Sequence, residues 1–202
     1  MSSEVKANKL SPATGTALQI SDSGDTTTIP SGATLAIASG ATIANSGTAS
    51  GFGLFSSYAI IADQKTQNTD GGTFTTGAWR ERDLQTEIAD PDGIVSISAN
   101  QFTLAAGTYL IRWSCPSYSV EKHQARLYNV TDAAEVGIGI SVTDGGYSSG
   151  TLALGSARTT ITGSIVFSIE HYCSSTEATI GFGDACNFGV EQYTTVEIFK
   201  EA

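Results

Sequence analysis

One pattern in this 202-residue chain has the shape of a catalytic motif, Gly146-Tyr-Ser148-Ser-Gly150. A G-x-S-x-G turn can raise a serine nucleophile between a strand and a helix, with an acid and then a histidine following along the chain. Here no helical pattern follows, and His171 precedes Asp184, so the serines are expected to lie in a loop. His123 and His171 stand beside Glu121 and Glu170 in strand-like contexts and are expected on a strand surface or an interface. Asp70, Asp90, Asp92 and Asp144 are loop oxygen donors that would allow a calcium ion, although their spacing lacks EF-hand order. Cys115, Cys173 and Cys186 have no metal-ligand spacing and are read as small core hydrophobes. A Cys173–Cys186 bridge would need an oxidising setting. Arg80-Glu-Arg82-Asp83 with Glu87 is expected to form a solvated, salt-bridged loop, with an intersubunit ion pair as its alternative. These residues compose no active site, so the expectation is a non-enzyme with no catalytic, cofactor-binding or metal residues.

The aromatics point elsewhere. Tyr109, Ile111, Trp113, Tyr193 and Phe199 fall at alternating positions of apolar strands and suit either a core or a subunit axis. Tyr118, Tyr128 and Tyr147 lie nearer turns and are candidates for a surface that touches sugar or protein. The elements that must position them are strands. Candidates are 58–62, 93–97, 101–104, 108–116, 125–130, 136–142, 159–169, 179–182 and 194–199. Turn chemistry separates them at Asp90-Pro-Asp-Gly93, Asp144-Gly-Gly146 and Asn187-Phe-Gly189. Short strands at this spacing, without a helical pattern, predict an all-β sandwich or barrel.

The first quarter of the chain is built differently. Gly15-Thr-Ala-Leu18-Gln-Ile20, Gly32-Ala-Thr-Leu35-Ala-Ile37 and Gly40-Ala-Thr-Ile43-Ala-Asn45 are near-copies of one unit, with no charged residue between Thr26 and Ala62. Such a unit buries nothing alone and gains stability only by stacking. Leu18, Ile20, Ile29, Leu35, Ile37 and Ile43 are therefore expected to line the axis of a short three-chain β stalk. The division read from composition is an arm over 1–25, a stalk and junction over 26–55 with Phe52 and Phe55 at its end, and a larger domain over 56–202.

Bulk charge narrows the partners. A net charge of −10 disfavours nucleic acid, whose phosphates need concentrated Lys and Arg. No apolar run approaches the ~20 residues of a membrane span. Met1-Ser-Ser-Glu-Val-Lys has neither the basic start nor the apolar stretch of a secretory signal, so synthesis in a cytoplasm is expected.

Two resemblances add to this reading. Phe102-Thr-Leu-Ala-Ala-Gly107-Thr-Tyr109-Leu-Ile111-Arg-Trp113 resembles the signature strand of C1q/tumour-necrosis-factor-like jelly rolls, with Ile111 where phenylalanine is usual. The stretch from Ala7 to Gly53, with Gly24-Asp-Thr-Thr-Thr-Ile-Pro-Ser-Gly-Ala-Thr34 at its centre, resembles a segment of tailed-phage fibre and appendage proteins, marine podovirus-like ones especially. Together they imply a homotrimeric virion protein with a C1q/TNF-like head over 56–202. Residues 1–25 would dock on another virion protein, and the head would bind a host surface glycan or protein. A head fibre or capsid decoration without receptor binding is the alternative. A polysaccharide-degrading tailspike is a third, for which the chain is too short.

Overall fold

The computed structural model describes residues 20, 24, 26–42, 54–144 and 148–202. They fall in two units, Met1–Thr48 and Ala49–Ala202. In the first, residues 26–42 form no strand in a single chain. Instead two turns stand eight residues apart, closed by Ala33 N–H to the Pro30 carbonyl and Ala41 N–H to the Ala38 carbonyl, each 3.0 Å. Gly32 and Gly40 both take φ 83°, the left-handed value that the third position of a type II turn demands. The repeat is thus a repeat of turns. Ile29, Leu35 and Ile37 between and beside them are exposed, as is Ile20. Leu18 and Ile43 lie outside the described residues.

The second unit holds twelve strands and, among the described residues, no helix. They are β1 (Phe55–Lys65), β2 (Arg80–Glu81), β3 (Thr86–Ala89), β4 (Val95–Ser98), β5 (Gln101–Leu104), β6 (Gly107–Tyr118), β7 (Lys122–Asn129), β8 (Ala134–Ile138), β9 (Val142–Thr143), β10 (Gly150–Ile161), β11 (Ile165–Cys173) and β12 (Glu191–Glu201). The first sheet runs β10-β6-β12-β1-β3 and the second β4-β5-β11-β7-β8, with β2 on β11 and β9 on β7. The chain changes sheet at β1–β2, β2–β3, β3–β4, β5–β6, β6–β7, β9–β10, β10–β11 and β11–β12. That weave of antiparallel strands is a jelly roll.

Period-two alternation sets the interior. β6 turns Tyr109, Ile111, Trp113, Cys115 and Ser117 inward, against Ala125 and Leu127 of β7 and Phe167 and Ile169 of β11. Phe102 and Phe167 stack at 5.6 Å near the centre. The strand expected over 159–169 is in fact the end of β10, a turn at 162–164, and the start of β11. Most of β10 escaped notice because its inner positions are Ala153, Gly155 and Ala157. They must be small: a Cβ on Gly155 would fall 2.1 Å from the Trp113 ring. Residues 179–182, expected as a strand, are turns, with Thr179 at φ 66°. The cluster expected as a solvated loop instead supplies β2, the fully buried Arg82 and β3. Its partners are internal: Lys65 bridges Asp83 (2.7 Å) and Asp63 (3.1 Å), and Gln101 donates to Glu81.

Candidate functional site

At one end of the sandwich the two inner faces are polar. Ser117 comes from the first sheet, His123 and His171 from the second, and each is buried. His123 Nε2 lies 2.9 Å from Ser117 Oγ and 2.7 Å from Thr151 Oγ1, and its Nδ1 lies 2.9 Å from His171 Nε2. One proton serves the contact between the imidazoles, so one ring donates and the other accepts. Among the described residues His171 Nδ1 has no hydrogen-bond partner, and its ring packs on Phe74 at 4.6 Å. Nearby, Arg82 donates from Nε to Thr194 Oγ1 (2.6 Å) and from Nη2 to the Phe182 carbonyl (2.9 Å), with its guanidinium 4.1 Å over the Phe182 ring. No ion pair holds it among the described residues.

Burial pushes the His123 pKa down to about 4, Asp144 opposing and Arg82 reinforcing. Burial also holds His171 well below the ordinary value, with Arg82 and His123 adding to it. Both rings are neutral at pH 7, and the expectation of surface histidines is corrected. Serine, histidine and a second histidine stand in the order nucleophile, base and orienter. Yet Ser117 is 2% exposed, and an imidazole of pKa about 4 is a weak base at neutral pH. The arrangement serves as a hydrogen-bonded tie between the sheets.

Cavities flank this tie on both sides. One, of about 570 Å³, lies between Tyr118, Thr151 and Leu152 on one side and Asp184, Glu191 and Tyr193 on the other. Glu191 shapes its rim. Burial raises that carboxyl's pKa, but N–H groups of Asn68 (3.1 Å), Asn187 (2.7 Å) and Cys186 (3.0 Å) outweigh it and hold the net value below normal. The other cavity, of about 500 Å³, is lined by Trp79, Lys122, Gln124, Val142, Thr143 and Tyr172, with His123 at its base. Trp79 and Tyr172 meet edge to face at 5.6 Å. Arg126 lies 4.2 Å over the Trp79 ring and 4.6 Å over Tyr128, and pairs with Glu170 at 2.6 Å.

A third feature is the outer face of the first sheet. β6 and β12 place Leu110 opposite Phe199, and β1 places Tyr58 opposite Phe199. Leu152, Leu154 and Tyr58 are each more than two-fifths exposed, and Phe55 and Phe199 pack at 5.2 Å. The two arginines of this sheet pair with its glutamates, Arg112 with Glu197 at 3.4 Å and Arg158 with Glu201 at 2.7 Å.

The residues singled out from sequence separate accordingly. Tyr109, Ile111, Trp113 and Tyr193 are buried core, whereas Phe199 faces outward. Tyr118 lines the first cavity and Tyr128 supports Arg126. Tyr147 lies outside the described residues, as do Gly145 and Gly146. Cys115 and Cys173 are buried, but Cys186 is exposed and all three are free thiols, so neither the core reading of Cys186 nor the bridge holds. The four aspartates gather no ion site: among the described residues no three ligating groups converge. Asp90 accepts from Ile94 N–H (2.8 Å) and Val95 N–H (2.9 Å), Asp144 from Val120 and Glu121 N–H (3.0 Å each), Asp70 from Ala185 N–H (3.2 Å), and Asp92 from Ser57 Oγ (2.6 Å). Sequence reasoning missed Trp79, Tyr172 and Lys122. The available signal was a tryptophan in a Gly-rich loop just before a charge cluster.

No protein-family model matches the chain, and no curated protein matches it. Solved structures resemble it. The globular domain of zebrafish complement 1qA protein is 14% identical, with a TM-score of 0.45 over 71% of this chain and 95% of that one. Eiger TNF from S. frugiperda is 9% identical, with a TM-score of 0.47 over 72% and 92%. The PRD1 vertex protein P5 is 14% identical, with a TM-score of 0.43 over 74% and 100%. These likenesses are of fold alone, and no function is drawn from them.

Proposed function

We propose that the chain is a non-enzymatic structural protein of a phage virion, assembled as a homotrimeric fibre or appendage, whose jelly-roll head binds the host surface. The observation that carries assembly is the amount of apolar surface that one chain leaves uncovered. Antiparallel sheets normally cover one face and solvate the other. The first sheet instead sets Tyr58, Leu110, Leu152, Leu154 and Phe199 toward the outside, with both its arginines already paired to glutamates. These residues form two apolar groups, Tyr58–Leu110–Phe199 and Leu152–Leu154, on either side of the Arg112–Glu197 pair, and exposed apolar surface of this type marks an interaction site. The evenly spaced turns of 26–42 leave Ile29, Leu35 and Ile37 exposed in the same way. Identical copies packing on both surfaces satisfy both needs with one operation. Residues 1–25 would attach the assembly to another virion protein, and three heads would multiply a weak site by avidity.

Sedimentation of the intact chain tests the assembly, with a trimer expected. A monomer at micromolar concentration would sink the architecture. Immunogold labelling of virions then separates a tail appendage from a capsid decoration, which would carry no receptor function.

A further inference from the structure

We propose that the cavity lined by Trp79 and Tyr172 binds a carboxylate-bearing pyranose, an acidic sugar unit of a bacterial surface polysaccharide. The inference rests on the reading of the head as a recognition module and names what one site on it takes.

The walls are suited to a sugar ring. Trp79 and Tyr172 stand at 68° to each other, so the cavity has two aromatic planes at a steep angle. The C–H bonds of a pyranose face, polarised by neighbouring oxygens, are attracted to the negative face of an aromatic ring. The platform is fixed before any ligand arrives. Arg126 lies over Trp79 and is itself held by Glu170 and Tyr128. Preorganisation of this kind removes part of the ordering cost of binding. At about 500 Å³ the space lies within the range of small-ligand pockets.

Polar groups supply orientation. Gln124 donates from Nε2 to the Gly139 carbonyl (2.8 Å) and to Ser141 Oγ (3.2 Å), which fixes the amide. Among the described residues nothing donates to its Oε1, so an acceptor for a sugar hydroxyl remains. Thr143 adds an exposed hydroxyl.

Charge selects the class of sugar. Lys122 is the one cation lining the cavity, is exposed, and makes no ion pair among the described residues. In a chain of net charge −10, a lysine left unpaired beside two aromatics favours a carboxylate. The larger cavity on the other side of the histidine tie has Asp184 and Glu191 on its wall and no cation, so it repels the same ligand. Among the described residues neither Asp nor Glu lines the Trp79 cavity, and Glu121, which accepts from the lining Ser174 Oγ at 3.3 Å, is a single carboxylate, so the pair that glycoside hydrolysis requires is missing from these residues. The sugar is held and not cleaved.

The test uses the intact chain and four probes: trimers of galacturonate, mannuronate and sialic acid, with galactotriose as the neutral counterpart. Binding is read by saturation-transfer NMR and calorimetry on the wild type, Tyr172→Ala, Lys122→Glu and, as a control in the other cavity, Asp184→Asn. Melting curves check that each variant is folded; Lys122 is exposed, so its variant keeps the test open even if Tyr172→Ala is unstable. The expected result is binding of at least one acidic trimer, weaker binding of galactotriose, loss of about tenfold or more in Tyr172→Ala and Lys122→Glu, and no change in Asp184→Asn. The proposal is overturned if no acidic trimer binds, if galactotriose binds equally well, or if folded Lys122→Glu binds as the wild type does. Adsorption of labelled chain to a panel of bacterial cells separates the two levels. Equal adsorption by wild type and both variants removes this cavity and leaves the recognition reading intact. Trimer binding without adsorption to any cell keeps the cavity and removes host recognition.

Discussion

The two sheets alternate alike on the inside and differ on the outside. The second sheet faces outward with Ser96, Gln101, Thr103 and the Arg126–Glu170–Glu135 network, among which Ile138 and Tyr172 are the exposed apolar side chains, a mostly polar face of the kind an antiparallel sheet turns to water. The first faces outward with Tyr58, Leu110, Leu152, Leu154 and Phe199. Since the inner faces of both sheets already share the main core, the apolar residues outside the first sheet, beyond contacts such as Phe55 on Phe199, add little to the fold of a single chain. The difference assigns roles: the first sheet is built to be covered, and the second to meet water and whatever arrives through it.

The strongest way to break that contrast is to charge the two outer faces in turn. Leu110→Asp with Leu154→Asp is expected to weaken self-association by at least about a hundredfold, because two carboxylates would be stranded in an apolar contact. The melting temperature of the head itself should barely move, since both side chains point away from the core. Gln101→Asp with Thr103→Asp on the second sheet should leave sedimentation unchanged. Equal loss from both pairs, or none from the first, would mean that the apolar face is incidental.

A sharper contrast lies within one strand. Gly155 and Ser156 are neighbours on β10, one inward and one outward. Gly155→Val is expected to destabilise the head by about 3 kcal/mol or more, because its Cβ would fall 2.1 Å from the Trp113 ring and force that buried ring to move. Ser156→Val, on the exposed side, should cost within about 0.5 kcal/mol. Urea unfolding of the two variants measures the difference. A small effect at Gly155 would show that Trp113 has another rotamer available.

How much of this was legible follows from what carries each signal. β5 could be read residue by residue because Phe102 and Leu104 alternate with polar partners. β6 could be read for the same reason, from Tyr109 to Trp113. β10 could not, because the bulk that fills its inner side belongs to Trp113 on another strand, and a row of Ala and Gly looks like a loop. The turns of 26–42 were visible in their glycines, whereas the strands expected between them have no partner within one chain. Charge misled in two places. The glutamates near His123 and His171 suggested a surface, but period two turns His171 to the opposite side from Glu170, and Glu121 precedes β7 in a left-handed conformation (φ 63°) that takes it off the strand pattern. Arg82 sat in a hydrophilic run and is nevertheless buried, because its partners, Thr194 and the Phe182 carbonyl, lie about a hundred residues away. The Trp79 cavity assembles from β7, β9, β11 and a loop, so no spacing within one segment could announce it.

The inner side of the second sheet also carries a pH-dependent liability that the first sheet lacks. His123 has a folded pKa of about 4 against an ordinary value of 6.5, and His171 lies further down in direction. Facing them are Ser117 and Thr151 from the first sheet, Arg82 from the segment after β2, Asp144 from the loop after β9, and each other. A base whose folded pKa is depressed binds fewer protons folded than unfolded, so stability is at its full value above about pH 6.5 and declines as pH falls toward 4. The carboxylates with resolved shifts, Glu191 and Glu201, have folded values below the ordinary 4.5. Their stabilisation is lost only as pH falls below that ordinary value, so the interval from 6.5 to 4.5 reports mainly on the histidines. The melting temperature of the head should therefore drop by several degrees across that interval. The double variant His123→Gln with His171→Phe should be less stable at pH 7.5 and nearly flat from 6.5 to 4.5, because neither replacement can take a proton. If the double variant declined as steeply as the wild type, the protons would be entering elsewhere, and the buried pair would be a passive tie between the sheets.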